Sequence, residues 1–314
     1  YPLYGNWVWG GGWLATLGTG SLELGHGVVD FAGSGVVHAM GGAAALAGSL
    51  VLGPRLGKFG KDGKPRTLAG HDIPMAMLGV FILLFGWFGF NAASTFSATD
   101  LRFTVAAANT GIAAAFGAMA AMTVHYIRAK NFDPGISANG MLGGLVAITA
   151  PCAFVAPWAA AVIGVIGALI VVWALGFIES KGIDDPVGAI AVHGFGGLFG
   201  VLAVGIFADG TYGDGWNGVS GGVEGIIKGD WGQLGAQAIA CVVISTVFFG
   251  IAFAFFTIQN KLTKGGIRSD ADEERIGLDI PEMGVLAYPE FQLLADGSVG
   301  DGSMGEAAEM LSRA

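Results

Sequence analysis

The residues best placed to do chemistry in this chain are two histidines, and they come as a matched pair. The stretch DFAGSGVVHAMGG (Asp30–Gly42) aligns without gaps on DPVGAIAVHGFGG (Asp185–Gly197), 155 residues further on. Shared positions are Asp30 and Asp185, Gly33 and Gly188, Val37 and Val192, His38 and His193, Gly41 and Gly196, and Gly42 and Gly197. Glycine matches mean little in a chain that has 56 of them, but an aspartate eight residues ahead of a histidine, twice, is a specific coincidence. A neutral imidazole has one N–H donor and one acceptor, so a facing pair can relay a proton or line a path for a small polar molecule. Both histidines lie in apolar runs, where an ionisable side chain points to function by default. The other histidines, His26, His71 and His125, fall at span edges or in loops and read as solvated. Asp30 and Asp185 each stand near the start of a span, where capping free amides and meeting the helix dipole accounts for them. Asp30 can in addition help an outer vestibule tolerate a cation.

Aromatic residues give a second cue. Trp7, Trp9 and Trp13 precede the first span, and the second ends in GWFGFNAAS (Gly86–Ser94). Interfacial tryptophan is commonly an anchor, yet an aromatic face beside a hydroxyl at a pore mouth can also hold a small cation, worth about 0.5–2 kcal/mol. Haem or metal ligation by the histidine pair is a weaker possibility. No other Cys or His stands at ligand spacing, and there is no phosphate-binding loop or nucleophile motif. No catalytic residue, cofactor or metal is therefore expected, and an enzyme is disfavoured.

The elements that position these residues follow from composition. Of 314 residues, 53% are hydrophobic and only 12% charged, against about a quarter charged in soluble domains. Mean hydropathy is +0.65. These values describe a polytopic membrane protein, and they exclude a cytosolic enzyme, a nucleic-acid binder and a disulfide scaffold. The two cysteines, Cys152 and Cys241, lie in apolar stretches and read as small packing residues. Seven apolar spans are expected at about Val28–Leu52, Ile73–Ser94, Leu101–Ile127, Ala138–Val155, Trp158–Ile178, Val187–Ala208 and Leu234–Leu262. Alternating sides from the first span puts 13 of the 15 Lys and Arg residues on one face and leaves Arg102 and Lys228 opposite. The basic face is then cytoplasmic and residue 1 lies outside. The net charge of −9 is concentrated after Thr263, where 11 acidic residues face 4 basic ones. The division is an extracytoplasmic mouth segment (1–27), a transmembrane bundle of seven helices (28–262) and a cytoplasmic tail (263–314). Asp296–Gly305 is low in complexity and expected to fray.

The two repeat copies sit on the first and sixth spans, which run in opposite directions, the signature of an inverted repeat with its site at the interface. Eight helical residues rise about 12 Å, which carries each histidine well into a hydrocarbon core about 30 Å thick. Gly41, Gly42, Gly196 and Gly197 let the two helices approach, bringing the imidazoles face to face near the midplane.

Together, WVWGGGW (Trp7–Trp13), DFAGSGVVH (Asp30–His38), GWFGFNAAS (Gly86–Ser94), DDPVGAIAVHGFGG (Asp184–Gly197) and EERIGLDIPEMGVLAYPE (Glu273–Glu290) resemble the ammonium transporter (Amt/Mep/Rh) family, on its bacterial Amt side. The resemblance runs from Trp7 to Glu290. It implies an all-α polytopic bundle with an inverted repeat, of which this chain holds the fifth to eleventh helices and the tail, with the first four absent. An outer-gate phenylalanine that the family supplies from an early helix falls outside this stretch. By motif, Trp9 and Ser94 resemble the recruitment site, Phe90 the gate aromatic, His38 and His193 the twin pore histidines, and Asp30 the vestibule aspartate. The resemblance also implies a homotrimer in the inner (plasma) membrane, ammonium or ammonia as substrate, and a PII-type signal protein bound at the tail.

Burying an unpaired ammonium costs several kcal/mol even after relaxation, more than cation–π attraction returns. The expected mechanism is recruitment of NH4+ at Trp9 and Ser94, loss of its proton, and passage of NH3 past Phe90 along neutral His38 and His193. Potassium has no proton to lose and is rejected. The competing function is an ammonium-binding membrane sensor that signals through its tail; a haem-carrying oxidoreductase is a weaker third. Ile276–Leu278 and Val285–Phe291 are apolar enough to make the tail a docking segment, the alternative being solvated disorder.

Overall fold

The structure, a computed structural model, describes residues 1–212 and 215–288. Apolar runs this long fold as helix because only hydrogen bonds within the segment satisfy the backbone in lipid. A short helix α1 (Pro2–Trp9) leads into irregular chain. The bundle follows as α2 (Ser34–Leu52), α3 (Ile73–Thr95), α4 (Leu101–Ala129), α5 (Pro134–Thr149), α6 (Pro157–Ser180), α7 (Ile190–Phe207) and α8 (Trp231–Leu262). A one-and-a-half-turn α9 (Ala271–Ile276) and a π turn at Asp279–Met283 follow in the tail. The chain is thus an all-α membrane bundle in which six helices, all but α5 of the seven, are long and apolar enough to cross a bilayer. Successive crossings gather loop 53–72, loop 181–189 and the tail at one end, here the basic end. Residues 1–33, 96–100, 150–156 and 208–230 lie at the other, the aromatic end.

Two spans differ from the sequence expectation. The fourth, expected over Ala138–Val155, is α5: it starts earlier, where Asp133 caps the amide of Ile136 and Pro134 takes the first turn, and it stops at Thr149. Pro151 has no N–H with which to donate the next hydrogen bond of the helix. Sixteen residues span about 24 Å, and the remaining depth is filled by buried turns over 150–155. α4, α5 and α6 all pack directly on one another. A Cβ on Gly144 would strike the Ala113 carbonyl, and one on Gly117 the Gly140 carbonyl, so glycine sets these helix spacings.

The first expected span begins at Val28, but α2 starts only at Ser34. Residues 26–29 are buried and irregular, so their backbone needs partners from outside the segment. Two glutamines of α8 supply them. Gln233 accepts from the His26 amide at 2.9 Å and donates to the Gly27 carbonyl at 2.8 Å; Gln237 accepts from the Val29 amide at 2.8 Å and donates to the Val29 carbonyl at 2.7 Å.

The repeat is also a repeat of backbone form. Gly33 and Gly188 both take left-handed conformations (φ +114° and +76°), which only glycine adopts without strain. Directly after them the chain runs as wide π turns, Ser34–Ala39 in α2 and Ile190–Phe195 in α7. Of the four glycines expected to let α2 and α7 approach, one in each copy does so. A Cβ on Gly42 would strike the Gly194 backbone, and one on Gly197 would come within 2.6 Å of the Ala39 nitrogen and the Ser34 carbonyl oxygen. Gly41 and Gly196 have room for one.

Candidate functional site

The π turns carry the histidines, and the crossing of α2 and α7 sets them against each other. His38 Nδ1 and His193 Nδ1 are 3.2 Å apart, with ring centroids separated by 5.2 Å and planes inclined by 18°. One nitrogen of such a contact must carry the proton and the other the lone pair, so the tautomers are complementary and the contact itself holds a single proton. His38 Nε2 is buried and has no hydrogen-bond partner among the described residues. π turns inside α-helices recur at functional sites; here they turn two imidazoles on antiparallel helices into one stack.

The stack extends toward the aromatic end. Trp87 of α3 lies on His38 at 5.1 Å with an interplanar angle of 19°, and Phe90 approaches it at 5.5 Å. Trp87 is held by its indole N–H, which donates to the Thr149 hydroxyl at 2.9 Å, and Thr149 in turn donates to the Leu145 carbonyl.

Above Phe90 opens a cavity of about 600 Å³, lined among others by Trp9, Phe31, Phe90, Ser94, Arg102 and Trp216. The structure therefore brings Trp9, Ser94 and Phe90 into one vestibule from α1 and α3. The Trp9 indole N–H donates to the Asp30 carbonyl at 2.6 Å, which fixes the ring. Ser94 donates to the Phe90 carbonyl at 2.7 Å, which leaves its oxygen lone pairs free to accept. Trp7 and Trp13 pack edge-on against each other, and Trp7 also contacts Phe248 of α8, so these two serve the fold.

Asp30 lies outside the lining of that cavity. Its carboxylate is buried and accepts from the amides of Gly33, Gly35 and Val36 at 2.8–2.9 Å, the free donors at the start of α2. Asp185 caps α7 more loosely, accepting from Ala191 at 3.1 Å.

The basic end is tied together by ion pairs. Arg55 donates to both oxygens of Asp184 at 2.8–2.9 Å, and Lys58 pairs with Glu179. Burial by itself raises the Asp184 carboxyl, but hydrogen bonds from the Arg55 side chain and amide outweigh it and hold the group below its ordinary value. The tail meets this end through charge: Glu274 accepts from the Leu56 amide at 2.6 Å and from Arg268 at 2.7 Å, while Arg268 donates to the Leu52 carbonyl. Those two donors hold the Glu274 carboxyl low. The apolar residues expected to dock, Ile276, Leu278 and Val285, are exposed, and residues 289–314 lie outside the described residues.

Sequence reasoning did not single out Trp87, Thr149, Gln233, Gln237 or Arg102. A glutamine pair at i, i+4 in an apolar helix was the one legible signal, since a membrane helix does not carry amides without partners. Among the described residues no cluster of three or more His, Cys, Asp or Glu could hold a metal ion.

Comparison with known proteins follows the same residues. A sequence model of the Ammonium Transporter Family matches residues 1–288. Ammonium transporter Amt2 of Archaeoglobus fulgidus is 50% identical over 292 residues, covering 93% of this chain and 62% of that protein. Ammonium transporter 1 member 2 of Oryza sativa subsp. japonica is 36% identical over 304 residues, covering 92% and 61%. Among solved structures, a sensor Amt protein superposes with a TM-score of 0.79 at 37% identity, covering 90% of this chain and 66% of that one. Mep2 of Candida albicans gives 0.73 at 30% identity, covering 85% and 56%. The chain spans about three fifths of the length of the curated relatives it matches.

Proposed function

Because this chain belongs to the ammonium transporter family, we propose that its bundle moves ammonium across a membrane as ammonia, along the histidine stack. The observation that carries this reading is the continuous file from vestibule to pore: Trp9 and Ser94 in one cavity, Phe90 at its floor, then His38 against His193. NH4+ enters the vestibule, where the fixed Trp9 ring offers its π face and Ser94 an acceptor. Phe90 blocks the hydrated ion. The ammonium gives up its proton to water in the vestibule, and NH3 passes the gate to hydrogen-bond with the imidazoles, where His38 Nε2 is buried without a partner among the described residues. A neutral pair suits this step, because a second proton at the 3.2 Å Nδ1 contact would set two N–H donors head to head with no acceptor between them. The proton between the rings offers a relay separate from the ammonia path.

In this reading the aromatic end faces outward and the basic end is cytoplasmic, as the Lys and Arg distribution requires. The protein works as a homotrimer in the plasma membrane, and the tail, seated on loop 53–72 through Glu274, presents a PII-type signal protein with its docking segment. Expression in cells lacking ammonium transporters of their own tests the function. Growth on limiting ammonium, abolished by replacing Trp9 and Phe90 together with alanine, is the expected result; no growth from a correctly inserted protein contradicts it. The seat of the tail on the bundle also favours a second reading, an ammonium sensor signalling through that contact, and a relative of similar structure is described as a sensor Amt protein. Tight ammonium binding without flux would select it.

A further inference from the structure

The vestibule already contains a cation. Arg102, in the first turn of α4, lines the same cavity as Trp9 and Ser94. Its guanidinium carbon stands 5.5 Å from the centre of the Phe154 ring and 5.9 Å from that of Trp216. These two rings and Phe31 form one cluster, with centroid separations of 5.2–5.9 Å. Arg102 Nε is buried with no hydrogen-bond partner among the described residues. Asp100, the acidic residue of the same wall, spends an oxygen on capping α4 through the Arg102 amide. Asp30 is saturated by three amides of α2. Ring faces rather than a carboxylate therefore hold the guanidinium, and its charge acts, together with that of Asp100 on the same wall, on anything entering the cavity.

We propose that Arg102 is a specificity-determining residue of the vestibule, a tethered cation that occupies the Phe31–Phe154–Trp216 cluster and filters incoming ions by charge. Two consequences follow from Coulomb's law. The second aromatic platform is closed to free cations, so Trp9 is left as the open one. A fixed positive charge also weighs twice as heavily on a divalent ion as on a monovalent one, so magnesium and calcium are kept from plugging the mouth while ammonium pays a smaller penalty. The weakened monovalent binding is the cost of that selectivity.

The filter rests on the transport reading, so the test has one arm that needs transport and one that does not. In proteoliposomes, R102Q is expected to lower the half-saturating ammonium concentration roughly three- to tenfold at low ionic strength, with the gain fading in high salt. Its flux becomes sensitive to millimolar-range magnesium to which the wild type is indifferent, and R102K restores the wild-type behaviour. In detergent, R102Q binds tetramethylammonium at the vacated cluster, read by quenching of Trp216 fluorescence and absent from R102Q combined with W216F; wild type and R102K do not bind there. A residue that only props the loop would not be rescued by lysine, which lacks the planar stacking group. R102Q without tetramethylammonium binding and without magnesium sensitivity overturns the proposal, as does R102K behaving like R102Q. Absence of ammonium flux in the wild type would count against the transport reading and leave the binding arm to decide Arg102.

Discussion

At the scale of single residues, chemistry and support divide cleanly within one motif. His38 and Asp30 belong to the same signature, yet the histidine is set against His193 and the aspartate is consumed by the cap of α2. Replacing Asp30 with alanine leaves three buried amides without an acceptor, and a loss of roughly 2–4 kcal/mol is expected, seen as a lower midpoint of thermal unfolding in detergent. Asp185→Ala, with one longer capping bond, should lose less. Equal losses would mean that the cap is not what Asp30 provides. Trp87 is a positioning residue: Trp87→Phe keeps the ring on His38 but loses the bond to Thr149, so unfolding should shift little while the pH profile of flux moves. An unchanged profile would leave Trp87 a packing residue only. The histidine pair was legible because an Asp and a His at matched spacing stand out from a glycine-rich background. Trp87 was not, because stacking on His38 depends on how α3 is rotated, and one aromatic among many in an apolar helix carries no sign of that.

At the scale of elements, the presence and order of the seven bundle helices were readable from hydropathy, and their edges were not. Edges are decided by local backbone chemistry: the three-amide cap of Asp30 starts α2 late, and Pro151 ends α5 early. The glycine contacts show the same limit, since four candidates matched in sequence and the crossing angle uses two. Gly42→Ala should drive a Cβ into the Gly194 backbone and destabilise by about 1–3 kcal/mol or more. Gly41→Ala should be neutral or gain a few tenths of a kcal/mol from helix propensity. The basic end makes a pH prediction. Asp184 and Glu274 are held below their ordinary carboxylate values in the folded protein. Their contribution is therefore complete above the unfolded pKa of about 4 and is lost as pH falls through the lower folded value. Hydrogen exchange of loop 53–72 and α9 should be insensitive to pH from about 7 down to 5, after correction for the intrinsic rate, and should rise on further acidification. A rise already complete above pH 5 would contradict the assignment.

At the scale of the whole molecule, the fold brings its two repeats together at one crossing. Two antiparallel copies of one motif cross at glycines, and their π turns turn the histidines inward. α1 and α3 bring an aromatic vestibule to one end of that crossing, and the tail is seated on the opposite end. Fold class and family were legible because apolar length and the duplicated motif are properties of the sequence itself. The vestibule's charge was not, because Arg102 meets Phe154 and Trp216 only through tertiary contact. The central claim is that ammonium loses its proton above Phe90, and that ammonia then passes the histidine pair while the proton follows separately through the contact between the rings. The most direct measurement is the transient current of the protein in proteoliposomes on a solid-supported membrane, pulsed with ammonium and then with potassium, for the wild type and for His38→Ala with His193→Ala. The account predicts that the wild type responds to ammonium and not to potassium, and that the double variant loses this selectivity or its current. A double variant that still responds to ammonium and still excludes potassium would contradict it.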